Sequence, residues 1–274
     1  MSKVFLIDVA RCSGCYNCQF ACKDEHCDNE FLPYAASQPL TGQFWLKLNE
    51  YVCGNQPQLK IHYMPFLCNH CDDPACLSAC KNGAIYKRED GLVIIDPQKC
   101  KGCQACKAAC PYDAIYFNEE KSIAQKCTGC AHLLDEGKRK VPRCVDVCAS
   151  DAFFFGDEEE LKDKLEGAVV MKPETGLGPR VYYKNIPGQF IAGTVYDPEK
   201  EEVVEGAKCV ITSGDLSMET TTDVFGDFWF KDIEKGHYAL KITADGYEAI
   251  VKDDIDVTEK CVGFGDMPMQ PAGK

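Results

Sequence analysis

Four groups of closely spaced cysteines are the residues in this sequence most suited to chemistry. The chain has 274 residues and 20 cysteines, and most of the cysteines fall into sets of four. The sets are Cys12, Cys15, Cys18 and Cys22; Cys68, Cys71, Cys76 and Cys80; Cys100, Cys103, Cys106 and Cys110; and Cys127, Cys130, Cys144 and Cys148. Thiols at this density indicate a disulfide framework, a zinc site or an iron–sulfur protein.

The spacing within the first and third sets favours iron–sulfur clusters. Both read C-x2-C-x2-C-x3-C, the bacterial [4Fe–4S] ferredoxin run, and Pro111 follows the third set. Three cysteines at successive two-residue gaps crowd a single zinc ion, whereas one loop can bring them to three corners of a cubic cluster. The next cysteine begins a helix that leads away. We therefore expect it to reach a neighbouring cluster and the sets to work in pairs.

The fourth set is the one for which zinc is a serious alternative. Its spacing, C-x2-C-x13-C-x3-C, taken alone fits a structural zinc site as well as a cluster. Because clusters of this type come in linked pairs, we interpret it as iron–sulfur as well. The motif count predicts four clusters, or three if this set, with its long loop, fails to hold one.

Net charge and the N-terminal sequence are informative about partners and compartment. The net charge of −13 argues against nucleic acid as a main partner. The start, MSKVFLIDVARC, has no signal-peptide pattern, and no apolar run is long enough to span a membrane. We expect a cytoplasmic protein, where thiols stay reduced and metal is favoured over disulfides. Cys27, Cys53, Cys209 and Cys261 lie outside the sets, and we predict that Cys209 and Cys261 are buried and unpaired.

Sequence repeats indicate the architecture that positions the cysteines. VFLIDVARC (4–12) and GLVIIDPQKC (91–100) each place an apolar strand before a leading cysteine. KNGAIY (81–86), PYDAIYF (111–117) and ASDAFFF (149–155) each place a short strand after a closing cysteine. A strand, a cluster loop, a short helix and a strand, repeated, is the plan of a two-cluster ferredoxin.

These motifs resemble the iron–sulfur subunits of the dimethyl sulfoxide reductase family of molybdopterin oxidoreductases. The resemblance rests on CSGCYNCQFACKDEH (12–26), CNHCDDPAC (68–76), the segment from Lys126 to Asp157, and KPETGLGPRVYY (172–183). It covers about residues 1–187. The proline after the closing cysteine is kept only at Pro111, since Lys23, Lys81 and Ala149 stand in the other three places.

The resemblance implies which cysteines share a cluster. It pairs the first set with the fourth and the second with the third, and exchanges the closing cysteine within each pair. The implied ligand sets are Cys12, Cys15, Cys18 and Cys148; Cys127, Cys130, Cys144 and Cys22; Cys68, Cys71, Cys76 and Cys110; and Cys100, Cys103, Cys106 and Cys80.

The last third of the chain has the pattern of a β domain. Residues 188–274 alternate apolar and polar positions between turns such as Ser213-Gly214-Asp215, which predicts about seven short strands. They resemble transthyretin-like domains of the Cna-B and carboxypeptidase-regulatory type. The predicted fold is therefore α+β. Tandem two-cluster ferredoxin-like modules (1–187, with 1–52 and 119–187 as one module and 53–118 as the other) precede an antiparallel β-sandwich or barrel (188–274).

Two features beside the cysteines carry alternative interpretations. His70 lies between ligands, and we interpret it as a loop histidine that makes a hydrogen bond rather than as an iron ligand. The basic run GKRKVPRC (137–144) is either a solvated face or a group that offsets cluster charge or docks a partner.

The resemblance implies a subunit that transfers electrons and has no catalytic residues of its own. The molybdopterin guanine dinucleotide with its molybdenum would lie on a large partner subunit. Because it lacks an export signal and has an added β domain, the chain is most similar to the transhydroxylases of the family. That likeness implies hydroxyl transfer between polyhydroxybenzenes (pyrogallol to phloroglucinol). The alternatives are an anaerobic respiratory reductase for polysulfide, thiosulfate or a similar acceptor, and a structural subunit whose clusters mainly form a scaffold.

Overall fold

A computed structural model describes residues 2–273 and divides the chain into two compact units. Within the described residues, the first unit comprises 2–50 and 62–186, and the second comprises 51–61 and 187–273. No helix among the described residues combines the length and apolar character needed to cross a membrane.

Short elements between cysteine loops make up the first unit. Its strands, including two that run into the second unit, are β1 (Lys3–Asp8), β2 (Leu46–Gly54), β3 (Leu59–Leu67), β4 (Ile85–Lys87), β5 (Val93–Ile95), β6 (Tyr116–Asn118), β7 (Ile123–Gln125), β8 (Phe153–Asp157), β9 (Val169–Val170) and β10 (Val181–Lys184). Its helices are α1 (Asn17–His26), α2 (Ala75–Ser78), α3 (Ala105–Ala109), α4 (Ala131–Asp135), α5 (Arg143–Asp146) and α6 (Lys162–Leu165). Single 3₁₀ turns occur at Val9–Arg11 and Pro173–Thr175.

The strands expected around the cysteine loops are confirmed. A four-stranded sheet in the order β8-β1-β10-β9 joins the two ends of the unit, with Phe5 of β1 opposite Phe155 on one side and Val181 on the other. The residues Val4 to Ile7 are all buried, as an apolar run without alternation predicts for an inner strand. Two small hairpins, β4–β5 and β6–β7, carry the chain into and out of the remaining loops.

Cysteine side chains fill much of the core of the first unit. Cys18, Cys22, Cys68 and Cys144 pack in one apolar cluster with residues such as Phe5. Cys76 and Cys106 belong to a second cluster with isoleucines of the small hairpins. The helices are only four to ten residues long and offer little apolar surface of their own.

The second unit is built from eight strands in two open sheets. The strands are β11 (Gln189–Asp197), β12 (Glu202–Val203), β13 (Lys208–Ser213), β14 (Leu216–Thr221), β15 (Asp227–Ile233), β16 (His237–Thr243), β17 (Ile250–Asp256) and β18 (Val262–Pro268). One sheet has the order β12-β11-β15 with β18 also on β11, and the other has the order β14-β13-β16-β17. Buried residues of both sheets, among them Ile191, Phe228, Ile211 and Leu240, form one core.

The prediction of a purely antiparallel domain is wrong at one strand pair. β18 runs parallel to β11, with Ile191 opposite Val262 and Tyr196 opposite Pro268. A parallel partner needs a long connection, and the six strands between β11 and β18 supply it. Local alternation predicts a strand but does not reveal which way its distant neighbour runs. The two sheets also remain open and do not form the barrel that was the other expectation.

The prediction that Cys261 is unpaired is also wrong. Cys261 forms a disulfide with Cys53, with the two Cα atoms 5.3 Å apart. Residues 51–61 therefore belong with the C-terminal strands. Gln58 reinforces this grouping, since its amide donates to Thr194 Oγ1 (3.0 Å) and accepts from the Gly265 N–H (2.8 Å). Cys209, in contrast, is buried and free as predicted.

Candidate iron–sulfur sites

The cysteine loops share one backbone conformation that turns successive thiols inward. The residue before the second cysteine of each loop has a left-handed φ: +72° at Gly14, +69° at Gly102, +63° at Gly129 and +44° at His70. In two loops the N–H of this residue donates to the first sulfur, from His70 to Cys68 at 3.5 Å and from Gly129 to Cys127 at 3.4 Å. Each loop thus presents its thiols to one point while its own amides face the sulfurs.

Three cavities in the first unit are each lined by four cysteines. One cavity is lined by Cys12, Cys15, Cys18 and Cys148. Another is lined by Cys68, Cys71, Cys76 and Cys110. The third is lined by Cys80, Cys100, Cys103 and Cys106. In every case three thiols come from one loop and the fourth from a distant segment, which is the grouping that the resemblance implied.

The remaining four cysteines are also close to one another. Burial raises the pKa of Cys144, and the nearby sulfurs of Cys130, Cys127 and Cys22 raise it further. All four side chains are buried. The structure therefore gathers the sixteen cysteines into four groups of four.

Short helices carry pairs of cysteines that belong to different sets. Cys18 and Cys22 lie one turn apart on α1, and Cys144 and Cys148 are related in the same way at α5. Side chains four residues apart share a face of a helix, so neighbouring sets meet across a single turn. The helices α2 and α3 carry the corresponding pairs of the other two sets.

The thiol environments fit a positively charged polynuclear iron centre. Burial raises the pKa of Cys18, Cys71 and Cys130 to about 12, with further contributions from neighbouring cysteines. Four such thiols become thiolates together only when a cation compensates their mutual repulsion. Among the described residues, no three His, Cys, Asp or Glu side chains approach closely enough to bind a single metal ion. The thiols instead surround cavities.

Backbone amides supply hydrogen bonds to the sulfurs. The Ala152 N–H donates to Cys148 Sγ at 3.3 Å, and the Ala124 N–H donates to Cys100 Sγ at 3.4 Å. Burial raises the pKa of the Cys110 thiol, and the nearby backbone N–H groups of Ala114 and Tyr112 act to lower it. Such bonds stabilise negative charge on sulfur and help to set the reduction potential of a bound cluster.

A buried lysine that the sequence did not single out lies between two of the sets. Lys126 is 2% exposed, and its ammonium donates to the carbonyl oxygens of Val93 and of Cys127. Burial acts to lower the pKa of Lys126, but the nearby sulfurs of Cys68, Cys76 and Cys127 outweigh burial and raise it. A basic residue precedes the leading cysteine in three sets, as Arg11, Lys99 and Lys126, and of these only Lys126 is buried.

His70 makes the hydrogen bond expected of it. Its Nδ1 accepts from the Val93 N–H at 3.0 Å, and its ring stacks on Phe5 with centroids 6.0 Å apart. Burial lowers the pKa of His70 well below its usual range, and the Lys126 ammonium lowers it further. The imidazole is therefore neutral.

The basic run at 137–144 is largely neutralised by carboxylates of the same unit. Lys138 pairs with Glu136 at 2.6 Å, and Arg139 pairs with Asp146. Arg143 Nε lies 3.1 Å from Glu25 Oε2. Burial raises the pKa of the Cys130 thiol, and the nearby Arg143 acts to lower it. Only Arg143 thus interacts directly with a cysteine set, and most of the run is a solvated, ion-paired face.

Comparison with known proteins places these sites in a family. Residues 59–158 match the 4Fe-4S dicluster domain, and residues 191–261 match the carboxypeptidase regulatory-like domain. The Pyrogallol hydroxytransferase small subunit of Pelobacter acidigallici is 40% identical over 271 residues, which cover 95% of this chain and 96% of that protein. The protein belongs to the iron–sulfur subunits of the dimethyl sulfoxide reductase family.

Other members of the family match a smaller part of the chain. A tetrathionate reductase subunit of Salmonella typhimurium is 36% identical over 197 residues, covering 68% of this chain and 73% of that protein. An anaerobic dimethyl sulfoxide reductase polypeptide of Escherichia coli strain K12 is 40% identical over 142 residues, covering 52% and 67%. As an iron–sulfur subunit of this family, the chain serves in electron transfer. The predicted succession of an iron–sulfur domain and a transthyretin-like domain is confirmed at this level.

Proposed function

We propose that this chain is the electron-transfer small subunit of a cytoplasmic molybdenum transhydroxylase that acts on polyhydroxybenzenes and converts pyrogallol to phloroglucinol. One observation carries the proposal: the similarity to the Pyrogallol hydroxytransferase small subunit extends over 95% of this chain and 96% of that protein. Because the second unit holds about a third of the chain, an alignment of that extent includes the β domain as well as the cysteine loops. The similarity to the tetrathionate reductase subunit covers 68%.

The proposal assigns one [4Fe–4S] cluster to each of the four cysteine sets. Two observations support this assignment. Three cavities are each lined by four cysteines, and the remaining four, Cys22, Cys127, Cys130 and Cys144, lie close to one another. Bound clusters supply one-electron transfer, with potentials tuned by burial, charge and hydrogen bonds. The chain's own residues hold the clusters, exclude water from the inner two sets and donate hydrogen bonds to sulfur.

The proposed sets follow one another in a line. The set with Cys12 adjoins the set with Cys127 through α1 and α5, and the set with Cys68 adjoins the set with Cys100 through α2 and α3. Lys126 links the two inner sets. Exposed cysteines, Cys15 and Cys103, belong to the outer sets. This order supports two modules of two clusters each, with electrons entering or leaving at the exposed outer sets.

The proposal places the catalytic site on a large partner that binds molybdopterin guanine dinucleotide. It gives this chain no catalytic residue. Hydroxyl transfer from one polyhydroxybenzene to another has no net redox change. On this account the clusters hold the partner's metal in the oxidation state that the reaction needs.

Anaerobic purification of the chain with its partner tests the proposal. We expect about sixteen irons per chain, molybdenum and pterin in the complex, and formation of phloroglucinol from pyrogallol without an external electron acceptor. Substantial zinc with little iron would refute the cluster assignment. After rapid mixing with a reduced viologen dye and then with an oxidant, freeze-quench spectroscopy should show all clusters reducing and reoxidising as fast as turnover. Clusters that stay silent would indicate a scaffold instead.

The similarity to the tetrathionate reductase subunit favours a second candidate, a respiratory reductase for a sulfur compound such as polysulfide or thiosulfate. The same preparation separates the two functions. A reductase would consume a reduced viologen dye only when the sulfur compound is present and would leave pyrogallol unchanged. The transhydroxylase would show the opposite behaviour.

A further inference from the structure

One of the four cysteine loops departs from the others at the position before its second cysteine. Three loops have glycine there, with φ values of +72°, +69° and +63°. The fourth has His70, which adopts the same left-handed region at +44°. Residues with a Cβ enter this region at an energetic cost that glycine avoids. His70 bears this cost, and we ask what its side chain contributes to the loop in return.

The imidazole of His70 is held in a single tautomer. The Val93 N–H donates to Nδ1 at 3.0 Å, so Nδ1 carries the lone pair and the proton sits on Nε2. The side chain is 1% exposed, and within residues 2–273 its Nε2 has no hydrogen-bond partner. A buried N–H donor left without an acceptor is destabilising, so an acceptor outside this set of protein atoms is expected.

The cavity beside the ring offers such an acceptor. His70 lines the cavity that Cys68, Cys71, Cys76 and Cys110 also line. We propose that the His70 Nε2–H donates to a sulfur of the cluster in this cavity and raises the reduction potential of that cluster. This inference rests on the proposed function, because it takes these four cysteines as the ligands. Reduction adds negative charge that spreads onto sulfur, so a fixed N–H donor stabilises the reduced form more than the oxidised form.

A buried water is the competing acceptor. Asn69 is 2% exposed and lines the same cavity, and neither polar atom of its amide has a partner among the described residues. A water bridging Asn69 and His70 would satisfy both side chains without touching a cluster. The two accounts differ in whether the electron spin of the reduced cluster senses the His70 nitrogen.

The test compares the intact complex with the variants His70→Gly and His70→Gln. Glycine reproduces the residue of the other three loops and removes the imidazole, whereas glutamine keeps an amide N–H donor. Potentiometric titration monitored by electron paramagnetic resonance should show that one of the four midpoint potentials is lower in His70→Gly than in the wild type. The expected decrease is at least 59 mV for one electron, which corresponds to a tenfold change in the ratio of reduced to oxidised cluster. The other three midpoints should not move, and His70→Gln should recover part of the loss.

A second measurement covers the case in which His70→Gly loses its cluster. Wild-type complex labelled with [¹⁵N]histidine should show a nitrogen coupling by pulsed resonance on one reduced cluster, and labelled His70→Gln should lack it. Two results would overturn the inference. One is a His70→Gly complex with full iron whose four midpoint potentials equal those of the wild type. The other is a wild-type complex that shows no nitrogen coupling beyond what His70→Gln also shows. A different result would contradict the cluster assignment in the proposed function, namely a Cys110→Ala complex that retains all of its iron.

Discussion

Cys106 and Cys110 stand four residues apart at one short helix, yet their thiols line different cavities. Cys106 lies with Cys80, Cys100 and Cys103, whereas Cys110 lies with Cys68, Cys71 and Cys76. Two thiols one helical turn apart can therefore connect two neighbouring clusters. The crossed arrangement is therefore built into the local geometry of α3, and it makes cysteine substitutions diagnostic.

Cys110→Ala should remove the cluster proposed for Cys68, Cys71 and Cys76 and leave the cluster of its own sequence motif in place. Iron analysis should show a loss of about four atoms, or conversion of that cluster to a three-iron form. Cys106→Ala should give the complementary loss. Cys209→Ala serves as the control, since Cys209 is buried in the second unit and lines none of the three cavities. A loss of the Cys100 cluster in Cys110→Ala would contradict the crossed assignment.

Lys126→Met should lower the reduction potential of two clusters together. The ammonium lies near sulfurs of Cys68 and Cys76 in one set and of Cys127 in another, and a buried positive charge favours the added electron in both. We expect each of these midpoints to fall by about 59 mV or more, as measured by redox titration. Lys126→Arg, which keeps the charge, should retain most of the wild-type values. A uniform shift of all four midpoints would point instead to a general loss of structure.

Removal of iron should unfold the first unit and spare the second. Cysteines occupy both apolar clusters of the first unit, whereas the second has an apolar core of its own with Ile191, Ile211 and Leu240 fully buried. Hydrogen exchange after anaerobic treatment with an oxidant and a chelator should show lost protection in residues 62–186. Residues 187–273 should keep theirs. Retained protection in both segments would show that the clusters are not needed for folding.

Reduction of the Cys53–Cys261 disulfide should destabilise the second unit without changing the iron content. The bond closes a loop across a sequence separation of 208 residues, and native disulfides of this kind contribute about 2–5 kcal/mol. The double variant Cys53→Ala/Cys261→Ala should lower the free energy of opening in residues 187–273, measured by hydrogen exchange. A phosphine reductant should reproduce the effect in the wild type and add nothing in the variant. Equal exchange in the oxidised and reduced wild type would count against a stabilising role.

Local intervals in the sequence were enough to predict the elements of the sites. Cysteines two residues apart determine a tight loop, and the apolar segments beside them, such as the one ending at Asp8, become strands whatever their distant partners are. The strands after residue 187 were predictable for the same reason, because apolar and polar residues alternate along a strand that is buried on one face. The iron–sulfur domain, the transthyretin-like domain and the hydrogen-bonding role of His70 were therefore predictable.

Only the tertiary structure decided which distant residues meet. The parallel pairing of β18 with β11, the disulfide between Cys53 and Cys261, and the burial of Lys126 beside two cysteine sets all join segments far apart in the chain. No spacing rule encodes such contacts, because they depend on how the loops and sheets pack. Arg11 and Lys99 occupy the same motif position as Lys126 and stay exposed. The sequence alone predicted an iron–sulfur protein; packing decided that the Lys126 charge and the His70 imidazole lie beside the cysteine sets.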